Sequence, residues 1–416
     1  MKYLLLWAIA LLAFTSCKKD EPALPISMDI MEATYNYDFD DIEPEAFPVF
    51  DDYVKAYVHT MDPAEYDCGD TYRLDRFHLV LVIHDEAAGN VPATFVFRPA
   101  GSSFTTGQAV PIASPAADGG NWYRQRDAAL SRRMVAALQT SRSRFAPYAE
   151  GGTDFLVIRY DREWLRQLTR ASRTRWAAFF VHEGFHLFAQ RAMTRPANSQ
   201  GGLRFNLPED YPADPESFSL IAAGVQLNEN LVYNEGPTDW DRTLAMQYVL
   251  LDRLRAADTT GQNYIDEYYL SYAWLEGGAE FIEQKITLGS GIYRLDDAAT
   301  REQISYDFFQ RTIRRTISMG TTTVTVNGVP RETRYQQVGD RTFYQIGAAT
   351  FRILEGLGED PMAQMQRGLN PYELLDDYVR ANNVVIDEAE ALADIKALID
   401  WEESLELMED YIAVFE

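Results

Sequence analysis

The chain has 416 residues but contains only two cysteines, Cys17 and Cys68. Two cysteines cannot form a disulfide framework, which excludes a small disulfide-stapled scaffold. Basic residues are also in deficit, with 38 Lys and Arg against 63 Asp and Glu, which gives a formal net charge of −25. Such a surface would repel a phosphate backbone, so the composition argues against nucleic acid as a partner.

Long apolar stretches are scarce, and the one near the start has a special character. The run Leu4 to Phe14 is too short to cross a bilayer as a helix, but it has the length of a signal-peptide core. It is preceded by Lys2 and followed by Cys17, which resembles a bacterial lipoprotein signal. That resemblance implies removal of residues 1–16, lipidation of Cys17 and no transmembrane helix in the mature protein. An ordinary cleaved secretory peptide is the alternative.

The residues after Cys17 extend this prediction. Lys18-Lys19-Asp20-Glu21 resembles a surface-export tag of lipoproteins in some Gram-negative bacteria. It implies an outer-membrane lipoprotein exposed on the cell surface and held to the membrane by its lipid. If Cys17 is acylated, Cys68 is expected to be a buried free thiol.

Periodicity and turn residues predict an α+β fold, mainly helical, with a small β-sheet. The expected organisation is an acidic tether over 17–48, an N-terminal α/β portion over 49–150 and a mainly helical portion over 151–416. Strands are predicted over 78–84, 93–97 and 155–160, the last as an edge strand, with a hairpin turn at Asn327-Gly328. Helices are predicted over 121–146, 176–193, 239–256, 263–285, 297–318, 343–357 and 387–414.

One short motif carries the functional argument. Residues 182–186 read His182-Glu183-Gly184-Phe185-His186, the HExxH pattern. Positions i and i+4 share one face of a helix, so both imidazoles can reach the same zinc ion. Glu183 is expected to act as the general base that takes a proton from the attacking water. The flanking residues are apolar, which predicts a buried helix whose polar side chains need partners.

The third ligand is expected to be a distant carboxylate. A metzincin would carry a third histidine at position 192, which is Ala192 here. The stretch around Glu276, Trp-Leu-Glu-Gly-Gly-Ala-Glu-Phe, resembles the helix that bears the third ligand in gluzincins, with an Asn missing and a Phe in place of a Tyr. The resemblance implies that Glu276 binds the metal and that Glu280 orients a zinc histidine. Glu235, close to Pro237, is the weaker candidate for the ligand.

Two further motifs resemble those of a group of bacterial predicted zinc peptidases. His182 to Gln190 reads HEGFHLFAQ, and Tyr344 begins a Tyr-x-x-Gly-Ala-Ala segment. The resemblance implies a zincin-like catalytic fold for the mainly helical portion over 151–416. Gln190 is expected to bond the backbone or a group near the metal. Tyr344 follows Glu276 by 68 residues, an order that resembles aminopeptidase-like gluzincins and implies that Tyr344 stabilises the oxyanion of the reaction.

These observations together predict an extracytoplasmic zinc metallohydrolase, most simply a peptidase that acts on peptides or proteins. Two alternatives remain open at this point. One is a non-catalytic surface lipoprotein that keeps a structural zinc site, and the other is a hydrolase of non-peptide amides. A structural site would have no need of Glu183, which favours the enzyme.

Overall fold

A computed structural model describes most of the chain from Val49 onward. The described residues are 49–66, 71–85, 90–104, 109–111, 120–125, 127–141, 144–161, 170–196, 214–234, 237–261, 263–296, 298, 301, 317–326, 329–338 and 342–413. The predicted signal and tether, Cys17, Cys68 and Glu235 lie outside them. The chain divides into two compact units, one up to Arg191 with Lys285–Tyr293, the other comprising Ala192–Gln284 and the residues from Arg294.

The first unit is built on a six-stranded mixed sheet with the order β3-β4-β2-β1-β6-β5. Strands β1 and β6 are parallel, and the other neighbours are antiparallel. The strands are β1 His78–Asp85, β2 Asn90–Arg98, β3 Ala109–Pro111, β4 Asn121–Gln125, β5 Phe145–Glu150 and β6 Thr153–Asp161. The helices are α1 Val49–Met61, α2 Ala128–Ser141 and α3 Arg170–Phe188.

Both faces of this sheet are covered, as the alternation of side chains along its strands requires. On one face Val80 and Val157 pack with Met134 of α2 in a buried cluster. On the other face the aromatic rings of Phe97 and Tyr160 meet α1 and α3. The ring of Tyr53 in α1 lies 5.1 Å from Phe97, and Tyr160 lies 4.8 Å from Trp176 in α3. The helix that carries the HExxH motif is therefore anchored on the sheet by aromatic packing.

The second unit is mainly helical, with one hairpin. Its elements are α4 Pro215–Tyr233, α5 Trp240–Ala257, α6 Leu270–Gly289, β7 Ile317–Val326, β8 Val329–Val338, α7 Thr342–Gly356, α8 Pro361–Gln366, α9 Pro371–Asn382, α10 Glu388–Lys396 and α11 Trp401–Ala413. The residues of α6 from Lys285 onward belong to the first unit. A π-helical turn, Ile265–Tyr269, leads directly into α6.

Helices α6 and α7 approach each other at a pair of glycines. A Cβ atom at Gly277 would lie 2.4 Å from the Cα of Gly347, and one at Gly347 would lie 1.8 Å from the carbonyl oxygen of Ala273. No residue with a side chain fits at either position without moving a backbone. The glycines in the Glu-Gly-Gly-Ala and Tyr-x-x-Gly-Ala-Ala segments are thus a structural crossing.

The structure confirms the predicted fold class, an α+β chain that is mainly helical with a small sheet. The three predicted strands are present, and Val326 pairs with Val329 in the predicted hairpin. The helix predicted from 239 begins at Trp240 with Asp239 as its N-cap, since its side chain accepts from the backbone N–H of Arg242. None of the described helices has the length and apolar character needed to span a membrane.

Several predicted bounds are wrong. The helix expected over 121–146 is strand β4, helix α2 and the start of β5, because Asp127 caps α2 through the backbone N–H of Ala129 at 2.9 Å. The predicted helix 387–414 is divided by Asp400, which accepts from the N–H of Glu403 at 3.2 Å and starts a new helix. Of the helix predicted over 297–318, most lies outside the described residues, and its last two residues belong to β7.

The predicted position of residues 155–160 at the edge of the sheet is also wrong. Strand β6 pairs with β1 on one side and with β5 on the other. Among the described strands, β3 and β5 lie at the two edges. The hairpin that adds β5 outside β6 turns at Gly151 and Gly152, with φ values of 59° and 80°. Two consecutive residues with positive φ are what a tight two-residue hairpin requires.

Candidate metal centre

Helix α3 holds the HExxH motif in a fully buried environment. His182 is 1% exposed, Glu183 is 1% exposed and His186 is 4% exposed. Gly184 lies against aromatic side chains, since a Cβ there would lie 2.6 Å from the hydroxyl of Tyr72 and 2.7 Å from the ring of Phe77. The Tyr72 hydroxyl donates to the carbonyl of Val181 at 2.8 Å. The glycine thus admits a tyrosine that fixes this turn of the helix.

The two imidazoles of the motif point their Nε2 atoms at one another. These atoms are 3.1 Å apart, and the rings meet at 77°. A tetrahedral zinc ion with metal–nitrogen bonds of about 2.0–2.1 Å requires about 3.3 Å between two ligating nitrogens. The observed spacing is close to that of a chelating pair.

The side chain of Gln190 sets the tautomer of His186. Its Oε1 lies 2.6 Å from Nδ1 of the imidazole. A carbonyl oxygen can only accept, so the proton of a neutral His186 sits on Nδ1. The lone pair is then on Nε2, the atom that faces His182 and the one a metal would need. Gln190 begins the 3₁₀ turn Gln190–Ala192, which is separated from α3 by one residue, so its position comes from the local chain path.

Helix α6 contributes a stripe of three buried carboxylates. Glu276 is 2% exposed, Glu280 is 4% exposed and Glu283 is 0% exposed. Their spacing of four and then three residues places them on one face of the helix. Burial of this many acidic groups is costly unless cations or hydrogen-bond donors compensate the charge.

These histidines and glutamates form two groups that could hold a metal ion. In the first group, one ligand atom each from His182, His186 and Glu276 lies within 4.8 Å of the others. In the second, His182, Glu280 and Glu283 meet the same limit. Two imidazole nitrogens with one carboxylate oxygen suit a divalent cation such as zinc and leave a coordination position open. The residues present therefore fit a metal centre.

The structure brings some of the predicted site residues together and leaves others apart. His182, His186 and Glu276 come together in one group, and Glu280 lies within 4.8 Å of His182 in the other. Glu183 is buried and directly follows His182 in the sequence, but it belongs to neither group. Tyr344 is half-buried, and its ring stacks on Phe343 with centroids 5.3 Å apart. Cys17 and Glu235 lie outside the described residues.

Sequence reasoning missed three polar residues of this region: Glu283, Gln284 and Gln345. The Nε2 atoms of Gln284 and Gln345 donate to Oε1 of Glu280 at 3.0 Å and 3.3 Å. A signal for Glu283 was present, since it continues the four-and-three spacing of the acidic stripe. Gln345 gave no such signal, because a single buried glutamine has no spacing partner.

No protein-family model, curated protein or solved structure matches this chain. The fold and the geometry of the site therefore define the class of this protein. The chain is a mainly helical α+β protein with a buried His-His-Glu candidate metal site.

Proposed function

We propose that this protein is a zinc-dependent hydrolase that cleaves peptide bonds, with His182, His186 and Glu276 as the metal ligands. The observation that carries the proposal is the convergence of these three ligand atoms within 4.8 Å in a buried site. The His186 tautomer imposed by Gln190 supports the assignment, because it leaves Nε2 available to a metal.

The residues around the ligands have distinct proposed tasks. Zinc bound there would supply Lewis acidity that polarises a scissile carbonyl and acidifies water. Glu183 takes the proton of the attacking water and returns it to the leaving amine, since it follows His182 directly and is not itself in either ligand group. Glu280 orients His182, and Tyr344 donates to the developing oxyanion.

The edge of the sheet favours a peptide substrate over another amide. Among the described strands, β5 pairs with β6 alone. Its first residue, Phe145, has its ring 5.7 Å from Phe179, which lies one helical turn before His182. An extended peptide that adds to β5 by backbone hydrogen bonds would lie beside the motif helix.

The proposal includes a location outside the cytoplasm. The sequence before the described residues supports cleavage after residue 16, lipidation of Cys17 and display on the outer membrane. Mass spectrometry of the mature N-terminal peptide tests this directly. An unmodified Cys17, or a peptide that still carries residue 1, would contradict it.

The experiment that tests the activity compares the wild-type protein with Glu183→Gln. We expect both to bind one equivalent of zinc, because Glu183 is not a ligand, while cleavage of a peptide library falls about 10²–10⁴-fold in the variant. Glu388→Gln is the matched control, since this glutamate is 68% exposed in its side chain and should leave both readouts unchanged.

Three outcomes would contradict the proposal. If His182→Ala leaves the zinc content unchanged, the assignment of the metal centre is wrong. A zinc-loaded wild-type protein that cleaves no member of the library would favour a structural zinc site, and cleavage of small non-peptide amides alone would favour the other hydrolase.

A further inference from the structure

Glu280 is the centre of a buried set of polar side chains in the second unit. We propose that Asn228, Gln284, Gln345 and Arg352, here called the polar relay, are positioning residues that hold Glu280 for its task at the metal centre. The inference rests on the proposed metal site, but it concerns residues that neither bind a metal nor touch a substrate.

The hydrogen bonds of the polar relay form two arms that meet at Glu280. In one arm, Asn228 Nδ2 donates to Gln345 Oε1 at 2.6 Å, and Gln345 Nε2 donates to Glu280 Oε1 at 3.3 Å. In the other arm, Arg352 Nη2 donates to Gln284 Oε1 at 2.9 Å, and Gln284 Nε2 donates to the same oxygen of Glu280 at 3.0 Å. Residues of α4 and α7 form the first arm, and residues of α6 and α7 form the second.

Apart from a long contact of 3.5 Å from Gln284 Nε2 to Gln345 Oε1, the hydrogen bonds of the two arms are all donated toward Glu280. Asn228 and Arg352 stand at the outer ends of the polar relay, and each N–H points inward toward Glu280. An ionised carboxylate only accepts, so both glutamines must turn their NH₂ groups to Glu280 and their carbonyl oxygens outward. Hydrogen bonds aligned in this way polarise one another and strengthen the innermost ones. The arrangement is therefore built to favour a negative charge at Glu280.

The three amide side chains of the polar relay are buried, and Arg352 is half-buried at its outer end. Gln284 is 4% exposed, Gln345 is 2% exposed and Asn228 is 0% exposed. Burial lowers the pKa of the Arg352 guanidinium, while the negative charges of Glu355 and Glu280 raise it. A guanidinium nevertheless stays protonated in proteins, so Arg352 places a positive charge behind Gln284.

The polar relay bears on the metal through Glu280 and His182. An oxygen of Glu280 and a nitrogen of His182 belong to the same group within 4.8 Å. With Oε1 held by two amides, the Glu280 carboxylate cannot rotate freely. A carboxylate fixed beside a ligand histidine sets the orientation of the ring and raises its basicity, and loss of such support lowers metal affinity about 10–100-fold.

A second buried glutamine provides a matched control. Gln247 of α5 is 0% exposed and also donates to α7, through the Ile346 carbonyl and the Thr350 hydroxyl, both at 3.1 Å. It has no bond to Glu280. Replacement of a glutamine by methionine keeps the approximate volume at each position, so the variants differ mainly in which hydrogen bonds they lose.

The experiment measures zinc affinity by chelator competition for Gln284→Met, Gln345→Met and Gln247→Met, with unfolding in urea as the stability readout. We expect the first two to bind one equivalent of zinc about 10-fold more weakly. Their cobalt-substituted forms should also show altered visible absorption, which reports the ligand field and not the stability. Gln247→Met should lose stability while its zinc affinity and cobalt spectrum stay those of the wild type.

The polar relay is refuted if Gln284→Met and Gln345→Met keep the wild-type affinity and cobalt spectrum, or if Gln247→Met changes them equally. These results concern metal binding and need no substrate, so they are separate from a failure of the proposed peptidase activity. If zinc binding is unaffected by Glu276→Gln and His186→Ala, the metal site itself is wrong, and the polar relay is overturned with it.

Discussion

The glycine crossing between α6 and α7 yields a prediction with a definite size. In Gly347→Ala, the new Cβ would lie 1.8 Å from the carbonyl oxygen of Ala273, where real contacts stay above 3.0 Å, so the helices must separate by about 1.2 Å. Overpacking of this kind costs about 3 kcal/mol, whereas Ala in place of a helical Gly returns about 1 kcal/mol. We expect a net loss of about 2 kcal/mol in the free energy of unfolding.

The same separation should reach the metal centre. Ala273 lies one helical turn before Glu276, and Gly277 comes directly after Glu276. A movement of α6 at this crossing therefore displaces Glu276, the proposed ligand. Metal sites tolerate errors of about 0.2 Å in ligand distance, much less than the shift required. Gly347→Ala should therefore lose stability in urea and bind zinc more weakly. Gly261→Ala is the control, because its Cβ would meet nothing within 4 Å. Wild-type stability and zinc affinity in Gly347→Ala would refute the reasoning.

Two further predictions concern histidines in the first unit. Burial lowers the pKa of His78 to about 4 from 6.5, so the unfolded chain takes up the proton first as the pH falls. The stabilisation is present above pH 6.5 and is lost as the pH falls toward 4. The free energy of unfolding should therefore fall by about 2 kcal/mol between pH 7 and pH 5. Urea unfolding at both pH values should show this loss, and His78→Gln should abolish the contribution of His78 to it. Gln190→Met should weaken zinc binding about 10–100-fold in chelator competition, because it removes the 2.6 Å bond to His186 Nδ1. An unchanged affinity in that variant would contradict the tautomer argument.

Features that depend on neighbouring residues could be predicted from the sequence. The i and i+4 histidines of HExxH face each other because helix geometry alone places them so. The cap at Asp239 and the hairpin formed by β7 and β8 follow from single residue types at turns. Glu276 was predicted as the third ligand from a resemblance to a known motif, not from helix geometry.

Features that depend on contacts between distant segments could not be predicted. The order of the strands placed β6 inside the sheet, and no local pattern distinguishes an inner strand from an edge strand when both are apolar. The Tyr-x-x-Gly-Ala-Ala segment drew attention to Tyr344, but the neighbouring Gln345 is the residue that bonds Glu280. Only the crossing angle and contact of α6 with α7 decide which of the two adjacent residues points there.

The short segment from His182 to Gln190 has a consequence for how the protein matures. It contains both imidazoles and the amide that fixes one of them, so formation of a single helix end assembles two of the three proposed ligands. The carboxylate arrives from a region 90 residues further along the polypeptide. A nascent chain could therefore capture a cation loosely with two nitrogens and then tighten its hold once α6 is in place. Metal uptake would in that case guide the last steps of folding, and apoprotein kept free of divalent ions should mature more slowly.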